Sequence, residues 1–217
     1  MAALPAAARH RLKLEVVSLK LGHVLCEPWA AAPHVYFPND SLVSLIALAA
    51  GGKGLEVGMV GRQGLLGVSH VLGTNKSPAR AVVQGAGTAM RTSSQRFTAE
   101  LKRNLPLQRA ALRYANVSMV TAMQIAACNN AHYVDERCAR WLLMTSDYLS
   151  RNAFHLTHLF LAQMLGVRRT GVSEAAARLQ KRGLVTYRRG KMMILNRAGL
   201  VAASCGCYQT IRNLTRS

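Results

Sequence analysis

Between Thr157 and Leu179 the chain places hydrogen-bonding and cationic side chains at helical spacing: Arg168, Arg169, Thr170, Ser173 and Glu174. In the same window Val172, Ala175, Ala176 and Leu179 recur at i, i+3, i+4 and i+7, so the polar set faces away from an apolar stripe. Donors and acceptors on the outward face of a short helix can read base edges in the major groove of DNA. Upstream, Leu161, Leu165 and Val167 supply the buried face of a first helix and its turn. Ala162 is small enough to let a second helix cross closely, and Gly166 can take the left-handed conformation that ends a helix. The spacing predicts two short helices meeting at a glycine turn, the second entering the groove by its N-terminal half. Thr157 is placed to cap the first helix and, with the backbone amides there, to position a phosphate. A structural helical hairpin is the alternative, but it has no need of a polar outward face with two arginines at its entry.

Charge points the same way. The chain of 217 residues carries 28 Lys and Arg against 9 Asp and Glu, a formal +19. From residue 151 onward there are twelve cations and a single acid, Glu174, so this last third alone holds +11. Such a one-sided field attracts polyanions. Arg178, Arg188, Arg189 and Lys191 are read as phosphate contacts that add attraction without sequence preference. The other reading of the same charge is a non-specific nucleoid or RNA-binding protein, or affinity for anionic lipid. No paired carboxylates, nucleophile–base motif or phosphate-gripping glycine loop appears, so the chain is not read as an enzyme.

Half of the residues are apolar, enough for a sound core divided between two modest domains. The most apolar run, Leu42 to Ala50, is much shorter than the ~20 residues of a membrane span. The N-terminus lacks a basic start followed by an apolar block, so no export signal is read and a cytoplasmic location is expected. Five cysteines, Cys26, Cys128, Cys138, Cys205 and Cys207, are odd in number and scattered, which does not suggest a disulfide framework. Cys205-Gly-Cys207 has no second Cys or His pair nearby in sequence, so no metal is assigned to it. Buried thiols are the default reading, with a redox or iron–sulfur sensor as the alternative.

The elements that position these residues differ along the chain. From about 12 to 95, short apolar segments (His34–Phe37, Leu42–Leu48, Leu55–Val60, Ala81–Gln84) alternate with turn chemistry, as in a sandwich or barrel. No useful helical periodicity precedes Phe97. Leu107 to Asn130 contains neither Gly nor Pro, and Leu112, Ala115, Met119, Ala122 and Ala126 trace a short coiled-coil-like seam. Packing against the β domain gives much the same stripe, but a self-pairing helix suits a reader of two half-sites ~34 Å apart. A further helix starts near Asp135, carrying Cys138, Trp141, Leu142 and Met144. After the reading helix, Leu184–Arg188 and Lys191–Leu195 flank Arg189-Gly190, a hairpin whose basic tip suits phosphate.

Taken together, Arg137-Cys-Ala-Arg-Trp-Leu-Leu143, the run Ala162-Gln-Met-Leu-Gly-Val-Arg-Arg-Thr-Gly-Val172, and Leu179-Gln-Lys-Arg-Gly-Leu-Val-Thr-Tyr-Arg-Arg-Gly-Lys191 resemble the Crp/Fnr family of bacterial transcription regulators. The resemblance covers nearly the whole chain, most strongly from Cys128 onward. It implies an α+β architecture: a cyclic-nucleotide-binding-like β-roll over 1–106, a dimerisation helix and hinge over 107–134, and a winged helix-turn-helix over 135–217. It implies a homodimer bound to double-stranded DNA, RNA polymerase as a further partner, and no membrane. Arg169 matches the family's guanine-contacting arginine, and a guanidinium fork does suit guanine O6 and N7. Thr170 stands where cyclic-AMP-responsive members have glutamate, and Glu174 where they have arginine, so their target sequence does not transfer. In the β-roll, Val68 falls near the place of the ribose-binding glutamate, while Arg80 is the candidate for the phosphate arginine. Loss of that carboxylate would cost on the order of 1.5–3 kcal/mol. No cyclic AMP site is therefore expected, and the effector is left open.

Overall fold

The computed structural model describes residues 6–49, 51–52 and 54–215. The chain divides into two compact units. One comprises the residues up to 47 together with Met59–Val120, and the other comprises Leu48–Gly58 together with the chain from Thr121 onward.

The first unit is built on antiparallel strands. β1 (Glu15–Leu19), β7 (Gly87–Ser93) and β3 (His34–Pro38) form one sheet in the order β1-β7-β3. A second sheet runs β2-β6-β4-β5, from β2 (Val24–Cys26), β6 (Ala79–Gly85), β4 (Leu42–Leu48) and β5 (Gly54–Val60), of which Leu48 and Gly54–Gly58 are counted with the second unit. Alternation along β3 shows how the layers are filled. Tyr36 packs with Val43, Val60, Ala81 and Val83 of the four-stranded sheet. Val35 and Phe37, on the other face, join Leu12, Phe97, Leu101, Leu107 and Ala111 from the helices.

Those helices are α1 (Ala6–Leu12), α3 (Ser94–Arg103) and the start of α4 (Leu105–Ala131), with a single-turn α2 (Val68–Val71) in the loop before β6. The sequence shows no helical periodicity before Phe97, so α1 and α2 are corrections to that reading. A seven-residue helix has little stability of its own. α1 is held by burial of Ala8 and Leu12 and by a bidentate ion pair from Arg11 to Glu100, both N–O distances 2.7 Å. α4 begins with Asn104 Oδ1 accepting from the Leu107 amide and Pro106 in the first turn, where its missing N–H costs nothing. Its 27 residues extend about 40 Å.

In the second unit, α5 (Val134–Leu149) is the central scaffold, with Cys138, Ala139, Trp141, Leu142 and Leu143 all buried. Around it lie α6 (His158–Leu165), α7 (Arg169–Lys181), α8 (Arg197–Ala203) and α9 (Cys207–Leu214). The Trp141 indole donates to Glu56 at 2.9 Å and meets Phe160 edge-on at 6.4 Å. A three-stranded sheet, β8-β10-β9, completes the unit from β8 (Ala153–His155), β9 (Val185–Arg188) and β10 (Lys191–Ile194). Only the β9–β10 hairpin is evident from the sequence; β8, three residues long, adds to it by pairing with β10. Among the described residues, no helix is long and apolar enough to cross a membrane.

Candidate nucleic-acid interface

Local chemistry sets the two helices of the reading unit. The Thr157 hydroxyl accepts from the Phe160 amide at 3.1 Å, which caps α6. Gly166 ends it at φ 63, in the left-handed region, and its amide returns to α6 carbonyls. A side chain there would also strike Leu55, whose Cδ1 lies 2.7 Å from the position of a Cβ. α7 then starts at Arg169 with the extended Arg168 before it. Val172, Ala175, Ala176 and Leu179 are buried, and Ala162 is buried on the facing side of α6.

The outward face of α7 carries Arg168, Arg169, Thr170 and Glu174, all exposed. No side chain caps its first turn and no acid lies in it, so the positive end of the helix is open to an anion. Ser173 is placed differently from the other four. Its hydroxyl donates to the Arg169 carbonyl at 3.0 Å and meets His158 Nδ1 at 3.0 Å, so it braces α7 against α6. Burial, aided by the charge of Arg169, pushes His158 below the usual histidine range, which leaves the ring neutral at pH 7. With Ser173 donating to the carbonyl, the ring proton belongs on Nδ1. The same ring stacks on Tyr187 of β9, centroids 4.4 Å apart and planes 24° apart. His158 thus links both helices to the hairpin. The sequence shows His155 and His158 beside the reading unit without disclosing that link.

The hairpin closes through Arg189 at φ 50 and Gly190 at φ 76, the two left-handed residues of a tight turn that matches strand twist. Arg188 and Lys191 stand directly opposite each other in the β9–β10 register, and both are exposed, as is Arg189. Like charges facing across a ladder destabilise it. None of these three cations is ion-paired to a carboxylate among the described residues. Arg178 is committed elsewhere. Its guanidinium makes a two-pronged pair with Asp135 of α5 at 2.6 and 2.7 Å, with Glu174 at 3.8 Å.

In the first unit, the two residues read as candidate effector positions lie on different elements. Arg80, on β6, pairs with Glu27 at 2.8 Å on the surface. Val68 opens α2, and Gly67 backs onto Val35 so closely that a Cβ would come within 2.9 Å of it. Gly64 lies against the Tyr114 ring from α4, which is why no larger residue fits there. Burial pushes that phenol up to about 12.

The fold adds one arrangement that local sequence spacing does not disclose. Cys205-Gly-Cys207 lacks a second pair of ligands nearby in sequence and so is assigned no metal there, yet the fold supplies that pair. Cys128 and His132 come to the two cysteines from more than seventy residues away, and all four ligand atoms lie within 4.8 Å of one another. Separation in sequence concealed what the packing of α4 against the α8–α9 segment brings together.

Residues 136–203 match the model of the Crp-like helix-turn-helix domain. Beyond that domain, the chain shares its fold with solved structures of Crp/Fnr-family regulators. FixK2 of Bradyrhizobium japonicum superposes with a TM-score of 0.76 at 14% identity, over 89% of this chain and 98% of that one. A Crp/Fnr-family transcriptional regulator of Thermus thermophilus gives 0.68 at 22% identity, covering 94% and 99%. A protein of Eubacterium rectale described as a regulator of the same family gives 0.71 at 16%, covering 100% and 97%. No curated protein matches the sequence.

Proposed function

We propose that this chain is a sequence-specific, DNA-binding transcription regulator that works as a homodimer. The observation that carries the reading is the outward face of α7, with Arg168, Arg169, Thr170 and Glu174 exposed beside a hairpin tip whose cations have no carboxylate partners among the described residues. Arg169 reads a base, for which its planar fork is suited to guanine. Arg188, Arg189 and Lys191 grip phosphate, and the polyanion relieves the repulsion between the facing Arg188 and Lys191. Thr157 and the α6 amides position a further phosphate. Ser173 contributes by fixing α7 and not by touching bases. Arg178 acts through its pair with Asp135 and adds only a peripheral charge.

The dimer reading is supported by α4. Leu112, Met119 and Met123 are 45%, 53% and 61% exposed, a line of large apolar side chains along one helix. Ala115, part of the seam expected from the sequence, is buried within the chain, so the pairing face is shifted towards these three. Water-facing methionines at this spacing fit a second copy of the same helix.

Selection of bound fragments from a random DNA pool tests the proposal. The expected product is a two-fold symmetric motif with half-site centres ~34 Å apart. A Met119→Asp variant should be monomeric by light scattering and should lose that motif's symmetry. Recovery of sequences with no common motif would favour the charge-driven, non-specific alternative instead.

A further inference from the structure

Cys128 and His132 stand one turn apart at the C-terminal end of α4, a spacing that puts both side chains on one face. Cys205 and Cys207 flank Gly206 in the connection from α8 to α9. The Cys128 and Cys205 sulfurs are 3.5 Å apart, and Cys207 Sγ is 3.7 Å from His132 Nδ1. The three cysteines are buried and pack as a cluster of their own, while His132 is partly exposed at its edge.

We propose that Cys128, His132, Cys205 and Cys207 bind one zinc ion. Zn–S bonds of about 2.3 Å and Zn–N bonds of about 2.0–2.1 Å in a tetrahedron set ligand atoms roughly 3.5–3.8 Å apart. The two contacts above already lie in that range, and the widest separation in the set, within 4.8 Å, needs a contraction of only about 1 Å. Thiolate and imidazole donors select zinc over the hard cations magnesium and calcium. Ligand atoms this close enclose a single ion, not the several irons of a cluster. Four protein ligands leave no open position, which makes the site structural.

A second observation concerns charge. Arg137 and Arg140 of α5 are only 7% and 2% exposed, and neither is ion-paired to a carboxylate among the described residues. Among the described residues the Nε of each lacks a hydrogen-bond partner, and Arg140 Nη1 donates to the Met144 sulfur at 3.2 Å. Buried guanidinium groups without an anion are costly. Both lie close enough to the cysteine cluster to interact with it electrostatically. A zinc ion with three thiolates and one neutral imidazole carries a net negative charge, the counter-charge these arginines lack. The Gln124 amide donates to Cys207 Sγ at 3.1 Å, support of the kind that steadies a thiolate ligand.

Binding exchanges three S–H bonds for three Zn–S bonds and releases the three protons to water, with no change of oxidation state. Affinity therefore rises with pH. The ion would pin the end of α4 to the α8–α9 segment. It would also sit one side chain away from the reading unit, because Arg137 donates to the Leu165 carbonyl at the end of α6.

Elemental analysis of the full-length chain, purified with its thiols reduced and without chelator, tests the site independently of DNA. The expected result is one zinc per chain, lost in Cys128→Ser and Cys207→Ser and retained in Cys138→Ser. Cys138 lies on α5 outside the cluster, its thiol pushed up to about 12 by burial, and serves as the control. Because a ligand variant can fail to fold, cobalt is also titrated into the metal-depleted wild-type chain. Thiolate-to-cobalt charge transfer with tetrahedral d–d bands is expected. A reduced chain with neither zinc nor a cobalt spectrum would overturn the proposal. So would iron with acid-labile sulfide in place of zinc, or full zinc content in folded Cys128→Ser.

Discussion

The arginines of the first unit and those of the reading unit live in opposite electrostatic circumstances. Arg11 pairs with Glu100, Arg80 with Glu27 and Arg91 with Glu15, at 2.6 to 2.8 Å. Each pair joins segments far apart in the chain. Beyond residue 151, Arg178 and Arg197 borrow Asp135 and Asp147 from α5, but Arg168, Arg169, Arg188, Arg189 and Lys191 have no ion pair among the described residues. Paired arginines are part of the architecture. Unpaired ones facing water add nothing to the fold and raise its self-repulsion, so their use lies in what they attract.

The two roles separate under mutation. The largest effect belongs to the support of the reading unit: Leu179→Ala, at a site 1% exposed, should cost about 2–5 kcal/mol of stability in chemical denaturation. Arg169→Ala should leave that stability unchanged and cost about 1–3 kcal/mol in binding to the selected motif, concentrated at one base pair per half-site. Arg189→Gln should weaken binding to all sequences alike and reduce the slope of log affinity against log salt by about one. If it instead changed the preferred sequence, the hairpin would be reading bases.

Acid tests the paired set, with a smaller effect. The Arg11 guanidinium, with Asn104 adding a donor, holds the Glu100 carboxyl down from 4.5 to about 2. The folded chain therefore binds fewer protons than the unfolded one over that interval. This contribution is intact above the ordinary carboxylate range and is lost as pH falls towards 2. Arg11 is 42% exposed, so solvent screening keeps the contribution modest. Glu100→Gln should flatten that part of the acid denaturation curve and leave DNA binding at neutral pH unaltered.

What the sequence discloses follows the range of the interactions. Val172, Ala175, Ala176 and Leu179, the Gly166 turn and the Arg189-Gly190 hairpin are local patterns, and the structure has them as read. α1 and β8 are too short to leave a periodic trace and exist through partners elsewhere in the chain. Ser173 has the right spacing for a base contact, yet its hydroxyl is occupied by His158, fifteen residues away. The meeting of Cys128 with Cys205 spans seventy-seven residues, which no local spacing rule reaches. Residues that face only solvent are legible from their own neighbourhood, whereas those that brace the fold require its long-range contacts.

The most direct test of the central claim is competition between the selected motif and random DNA of equal length at physiological salt. A reader whose α7 face discriminates bases should prefer the motif by a factor on the order of 10³ or more. A ratio near one, with affinity tracking salt alone, would contradict the account and leave a basic surface without sequence readout.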